Sequence, residues 1–255
     1  MKPFLDPNSR ERMARGLCAL AVMTKAPQAG RVKTRLVPPL TPGEAAELNK
    51  CFLRDTIAAI STACSRRPVG DEGKTTCSSP IAVYTPVGAE SAYTDVLPAD
   101  FRLLPQRGDE FGERLYFAVE DLFKCGFDSL CLIDSDSPTV PAENFEQAVE
   151  LLSTSEDRVV LGPSDDGGYY LIGMNKPHRH LFEQIDWSTE RVFNQTMQRA
   201  TEIGIEVKRL PTGYDIDDDA SLRRLCSELL TDTTSADIAP HTREFLAKLS
   251  AQKEL

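Results

Sequence analysis

Long apolar stretches are missing from this sequence. The longest uninterrupted run covers residues 17–23, seven in all, whereas a membrane span needs about 18 or more. Arg10, Arg12 and Arg15 precede the run as in a secretion signal. Yet the run is short, Lys25 closes it, and no small-x-small cleavage site follows. It reads as a buried strand in a cytoplasmic protein with no membrane span. A basic excess is missing too: 29 Lys and Arg face 39 Asp and Glu, a net charge of −10. Duplex binding draws its affinity from phosphate neutralisation, so no nucleic-acid partner is expected. No two of the seven cysteines form a C-x-x-C pair. Most lie in apolar stretches, where free Cys acts as a small hydrophobe, and all seven are expected as reduced thiols. Neither G-x4-G-K-[ST] nor G-x-G-x-x-G occurs, which argues against a P-loop NTPase and a dinucleotide-dependent dehydrogenase. His178, His180 and His241 have no H-E-x-x-H or triad context and read as solvated.

What remains is an ordinary globular mix of 255 residues, 41% hydrophobic and 27% charged. Residues 1–15 are polar and predict a loose extension; residues 16–255 predict one domain. Short apolar runs predict strands at 17–24, 81–85, 101–104, 129–134, 158–161, 169–174 and 206–210. Helical spacing predicts helices at 42–63, 111–125, 141–152, 188–203 with Ser188 as cap, 217–230 and 242–251. Residues 66–80 read as a loop and an insertion. Strand–helix alternation favours an α/β fold: a mostly parallel sheet with helices on both faces. The link between 158–161 and 169–174 is too short for a parallel crossover, so one of these strands is expected to be antiparallel or outside the main sheet. Ligands of such sheets sit at the carboxyl ends of the strands.

After the first strand, Lys25, Gly30, Arg31, Lys33 and Arg35 put four cations and a glycine within eleven residues. Backbone N–H groups and cations in such a loop suit a diphosphate; a solvated basic loop is the alternative. After the central strand comes Asp134-Ser135-Asp136-Ser137-Pro138. Alternate residues of an extended segment point the same way, so both aspartates can face the crevice. Paired carboxylates repel unless compensated, and Mg²⁺ or Mn²⁺ would do that; otherwise Asp136 caps the turn. The stretch Asp165-Asp166-Gly167-Gly168-Tyr169-Tyr170 reads equally as a hairpin turn or as the wall of a sugar-sized pocket. Asp215 and Asp217 follow the last strand on alternate positions, and either can be a second metal contact. The single tryptophan, Trp187, is core or a stacking surface.

These blocks, in this order, resemble a bacterial family of GT-A-type nucleotide-diphospho-sugar transferases, among them glycosyltransferases associated with radical-SAM enzymes or arsenosugar biosynthesis. The resemblance covers roughly residues 17–225. It rests on Lys25-Ala-Pro with Gly30-Arg31-Val32-Lys33-Thr34-Arg35-Leu36, and on Gln106, Gly108-Asp109 and Gly112-Glu113-Arg114. It rests further on the Asp134–Pro138 block, Gly162-Pro163 with Asp165-Asp166-Gly167-Gly168, Trp187-Ser188-Thr189 and Asp215-Ile216-Asp217. Two departures stand out: Ile133 precedes Asp134 where the family shows Gly-x-Asp-x-Pro, and Asp218-Asp219-Ala220-Ser221 replaces Thr-Pro-Glu-Asp.

The resemblance implies a GT-A-like fold, a nucleotide diphosphate held by the first loop, and a divalent ion at the aspartates. The expected activity is sugar transfer from a nucleotide sugar to a small-molecule acceptor. Asp134, Asp136 and Asp217 are the candidate metal ligands, with Asp136 also serving catalysis through the ion and Asp166 as candidate base. Lys25, Gly30, Arg31, Lys33, Arg35, Gly167, Gly168 and Trp187 are the candidate substrate contacts. A nucleotidyltransferase acting on a phosphorylated acceptor, and a non-catalytic nucleotide-binding module, are the alternatives.

Overall fold

The computed structural model describes residues 3–9, 16–66, 77–231 and 237–251. The apolar runs form strands β1 (Leu17–Lys25), β2 (Cys77–Thr85), β3 (Arg102–Pro105), β4 (Ser129–Ile133), β5 (Arg158–Pro163), β6 (Tyr169–Met174) and β7 (Glu206–Arg209). They make one sheet in the order β3-β2-β1-β4-β6-β5-β7. β6 is antiparallel to both neighbours, as its short link to β5 requires, and the other pairings are parallel.

Helices cover both faces, as the strand–helix alternation implied. They are α1 (Pro42–Ser65), α2 (Phe111–Lys124), α3 (Ala142–Leu152), α4 (Val192–Glu202), α5 (Asp219–Thr231) and α6 (Pro240–Ser250). Alternation along each strand sends neighbouring residues to opposite faces. Cys18, Leu20 and Val22 of β1 join Leu53, Ile57 and Ile60 of α1 and Phe145 of α3. Ala19 and Ala21 join Leu115, Val119 and Leu122 of α2. A third cluster packs the other side of α1, through Leu48 and Phe52, against Leu225 of α5 and Leu246 of α6. Thr41 starts α1 with a reciprocal cap: its hydroxyl accepts from the Glu44 amide at 3.3 Å, and the Glu44 carboxylate accepts from the Thr41 amide at 2.7 Å.

Some boundaries differ from the sequence reading. β2 begins at Cys77, four residues early, because Ser78, Ser79 and Pro80 pair with β1. β3 joins only from Ile81, so this first half of β2 is an edge where polar residues and proline are tolerated. The remainder of the expected loop, 67–76, lies outside the described residues, as do residues 10–15. The N-terminal stretch is docked in part: Leu5 donates to the Leu103 carbonyl at 2.9 Å and Leu103 donates to that of Pro3 at 3.0 Å. Ser188 does not cap a helix. It has φ +62° in a turn, and α4 begins three residues later than expected, behind Arg191.

The chain leaves β1 for β2 and β3 on one side and returns to β4 on the other. That reversal opens a crevice at the carboxyl ends of β1 and β4. The start of β6 lies at the same edge, because Tyr169 pairs with Pro163 at the end of β5.

Candidate functional site

Four loops meet at this edge, and a lysine ties three of them together. The basic loop after β1 carries Lys33 in a left-handed conformation, φ 47°, just before a short turn of 3₁₀ helix. Its side chain is 4% exposed. Its ammonium donates to the Ile216 carbonyl at 2.7 Å and Asp217 Oδ1 at 2.8 Å, and lies 3.0 Å from Asp136 Oδ2. Burial alone would lower the Lys33 pKa, but the charges and hydrogen bonds of Asp136 and Asp217 outweigh it and raise the pKa above its ordinary value. The Ile216 amide also donates to the Asp136 carbonyl at 3.0 Å, clamping the segment after β7 onto the loop after β4.

Asp134 sits deepest of the acids. Its amide donates to the Tyr170 carbonyl and its Oδ2 accepts from the Ser137 hydroxyl at 2.7 Å. Burial and the neighbouring Asp136 charge hold its carboxyl well above the usual range, despite that hydrogen bond. Asp215 is pushed up to about 6, first by burial and then by Asp166 and Asp217.

Three hollows surround these acids. One, of about 260 Å³, is lined by Lys25, Arg31, Lys33, Arg35, Asn49 and Asp136. A larger one, about 470 Å³, has Asp134, Asp166 and Asp215 at one end and Phe111, Leu115, Trp187 and Glu190 among its walls. A third, about 410 Å³, runs past Asp165, Tyr214 and Arg224. Arg35 and Asp217 line all three, so the hollows form one branched crevice around that pair. Asp134 and Asp136 both face this crevice, the first toward the large hollow and the second toward the small one.

The wall beyond Trp187 is fixed by two glycines. Gly167 has φ +91°, and a Cβ there would fall on the Glu190 carbonyl. At Gly112, in the first turn of α2, a Cβ would lie 2.5 Å from the indole nitrogen of Trp187. Both glycines therefore let the 187–190 turn close against the sheet edge. Trp187 packs edge-to-face on Phe111, with ring centroids 5.2 Å apart.

The structure brings the candidate residues to this crevice except Gly30, which occupies an exposed turn with φ +74°, and Gly167, which lines none of these three hollows and packs behind Glu190. Lys25, Arg31 and Arg35 are exposed and form no ion pair among the described residues, while Lys33 is turned onto acids. Asp166 is exposed and accepts from the Gly168 amide at 2.8 Å. Phe111 and Glu190 were not legible as site residues. Phe111 carried one overlooked signal, a large aromatic at the first position of a helix. His178 and His180, read as solvated, pair with Asp157 and Glu202 at 2.8 and 2.7 Å.

The family described as "Uncharacterized protein conserved in bacteria (DUF2064)" matches residues 71–189. No curated protein matches the sequence. A protein from Desulfovibrio desulfuricans G20, provisionally described as a nucleotide-diphospho-sugar transferase, is 26% identical over 92% of this chain and 96% of its own, with a TM-score of 0.77. A nucleotidyl transferase from Methanothermobacter thermautotroptrophicus is 14% identical over 86% of this chain and 100% of its own, TM-score 0.51. A 4-diphosphocytidyl-2C-methyl-D-erythritol synthase from Anaerococcus prevotii DSM 20548 is 12% identical over 84% and 97%, TM-score 0.50. The chain thus has the GT-A-like fold shared by nucleotidyltransferases and nucleotide-diphospho-sugar transferases.

Proposed function

We propose that the crevice binds a nucleotide diphosphate sugar and transfers the sugar to an acceptor. The observation that carries this reading is the pairing of a small basic hollow with a larger hollow, acidic at one end and aromatic in its walls, joined at Arg35 and Asp217. Arg35, with Lys25 and Arg31, holds the diphosphate; Lys33 organises the acids beside it. The finer assignment, to the radical-SAM-associated or arsenosugar-type glycosyltransferases, rests on the sequence blocks. The seven free thiols support a cytoplasmic setting.

Asp134, Asp136 and Asp217 have the chemistry to hold Mg²⁺ or Mn²⁺. Among the described residues, Asp134 Oδ1 and Asp217 Oδ2 accept no hydrogen bond, and Asp136 Oδ1 accepts only a long one, 3.4 Å, from the Ser135 hydroxyl. No group of three acidic, His or Cys side chains forms a ready metal cage among the described residues. Magnesium sites commonly use one or two carboxylates and complete the shell with water and substrate phosphates. A divalent ion held there would supply positive charge to the leaving diphosphate. Asp166 accepts the acceptor's hydroxyl proton. The acceptor oxygen then bonds to the anomeric carbon as its bond to phosphate oxygen breaks, and the nucleoside diphosphate departs. Gly168 steadies the base by donating to Asp166 Oδ1, and Gly167 sets the wall against which the sugar rests.

The test is product analysis after incubation with labelled nucleotide sugars and nucleoside triphosphates in Mn²⁺. Nucleoside diphosphate release is the expected result. Pyrophosphate release from the triphosphates would establish nucleotidyl transfer instead, and binding with neither product would leave a nucleotide-binding module.

A further inference from the structure

The larger hollow says something about what enters it. Of the groups that line it, Asp134, Asp166, Glu190, Asp215 and Asp217 are acids, with the carboxyls of Asp134 and Asp215 held above their usual range by burial and neighbouring charge, and Arg35 is a cation. Glu190 forms no ion pair among the described residues and stands on the same turn as Trp187. The apolar walls include Phe111, Leu115, Leu132, Ile172 and Val192, with the edge-to-face Phe111–Trp187 pair among them. Phe111 is 51% exposed, a large apolar area left uncovered beside a concave surface.

We infer that this hollow takes an acceptor without phosphate or carboxylate: a ring-bearing alcohol or amine, neutral or cationic, whose flat body lies on Trp187 and Phe111. This rests on the transferase reading above. The cations that could recognise an anionic acceptor, Lys25 and Arg31, line the other hollow, and Arg35 sits at the junction where the diphosphate is already placed. A divalent ion does not reverse the sign of the larger hollow, because the diphosphate that accompanies it carries comparable negative charge. Like charges brought together at a binding surface are unfavourable, so an anionic acceptor is disfavoured. An aromatic ring gains area and an edge or face contact, and a cation gains attraction to Glu190. The glycine-seated turn makes the wall pre-formed: Gly112 and Gly167 leave room for Trp187 and Glu190 that a side chain would take.

Trp187 is the sole tryptophan, so its fluorescence reports on this hollow alone. The experiment titrates the whole protein, in Mn²⁺ and UDP, with tyramine, benzyl alcohol and phenyl phosphate. Saturable change with tyramine and benzyl alcohol is expected, with phenyl phosphate weaker by at least about tenfold than tyramine. Phe111→Ala weakens both favoured probes, and Glu190→Gln narrows the gap between tyramine and phenyl phosphate. Phenyl phosphate binding as tightly as tyramine overturns the inference. So does silence of Trp187 to every probe while calorimetry shows that UDP with Mn²⁺ still binds, which leaves the nucleotide reading standing. Failure of UDP to bind, alongside normal probe binding, removes the nucleotide reading and retains the charge and shape preference of the hollow.

Discussion

The two main branches of the crevice use charge in opposite ways. In the small branch, Lys25, Arg31 and Arg35 are exposed cations with no acid bound to them among the described residues. In the large branch the acids outnumber the cations and aromatic rings replace basic side chains. Between them sits Lys33, a cation by sequence but consumed by Asp136 and Asp217. The contrast teaches that a cluster of basic residues is not one functional unit. Burial and geometry divide it into a buried cation paired with acids and exposed cations that form no ion pair among the described residues.

The sharpest way to break that division is at Asp136. Asp136→Asn is expected to abolish the Mn²⁺-dependent part of nucleoside diphosphate binding. Little change in stability is expected, because the substitution removes repulsion with Asp134 and attraction to Lys33 together. Calorimetric titration with UDP, with and without Mn²⁺, measures it. Unchanged metal dependence would reduce Asp136 to a turn residue and a partner of Lys33.

Lys33→Ala comes next. Removing one partner of a buried ion pair costs about 3–5 kcal/mol. Asp136 and Asp217 are 36% and 49% exposed and solvent can compensate them in part, so about 2–3 kcal/mol of destabilisation is expected. Denaturant midpoints at constant slope check this. If stability is unchanged while nucleoside diphosphate affinity falls, Lys33 is a phosphate contact, as the sequence suggested, and the division fails.

Lys33 also shows where sequence reading stops. The strands around it were legible because a buried strand is a short continuous apolar run, and 169–174 was placed to the residue. The basic loop and the aspartate blocks were legible because the ends of parallel strands are where ligands collect. The partners of Lys33 were not, since Asp217 lies 184 positions away and only the sheet order brings the two together. Trp187 and Phe111 meet for the same reason, through α2 and a turn far along the chain. Ser188 misled because a capping residue type was present without a capping conformation: φ +62° belongs to a turn. Polar Ser78 and Ser79 hid the start of β2, which lacks its outer neighbour there.

Arg35 tests the exposed cations. A hydrogen bond to a charged group contributes about 1.5–3 kcal/mol, so Arg35→Ala is expected to weaken nucleoside diphosphate binding by roughly 10- to 150-fold. The bare nucleoside should lose far less, and thermal stability should barely move, since Arg35 is exposed. Equal losses for nucleoside and nucleoside diphosphate, or none for either, would reassign the small branch.

The smallest effects separate two glycines of positive φ, Gly30 in the basic loop and Gly167 behind the wall of the large hollow. A non-glycine residue in the left-handed region costs about 1–2 kcal/mol. Gly30 has φ +74° and open space where a Cβ would go, so Gly30→Ala is expected to cost about 1 kcal/mol and to leave the large hollow intact. Gly167 has φ +91° and a Cβ there strikes the backbone of Glu190. Gly167→Ala must therefore push the 187–190 turn outward and cost about 1–3 kcal/mol. Trp187 emission makes the difference visible without any ligand: Gly167→Ala should shift it toward that of solvated indole, and Gly30→Ala should not. Equal emission and equal stability in the two variants would mean that the wall of the large hollow yields as easily as a surface turn, and the pre-formed aromatic surface would have to be abandoned.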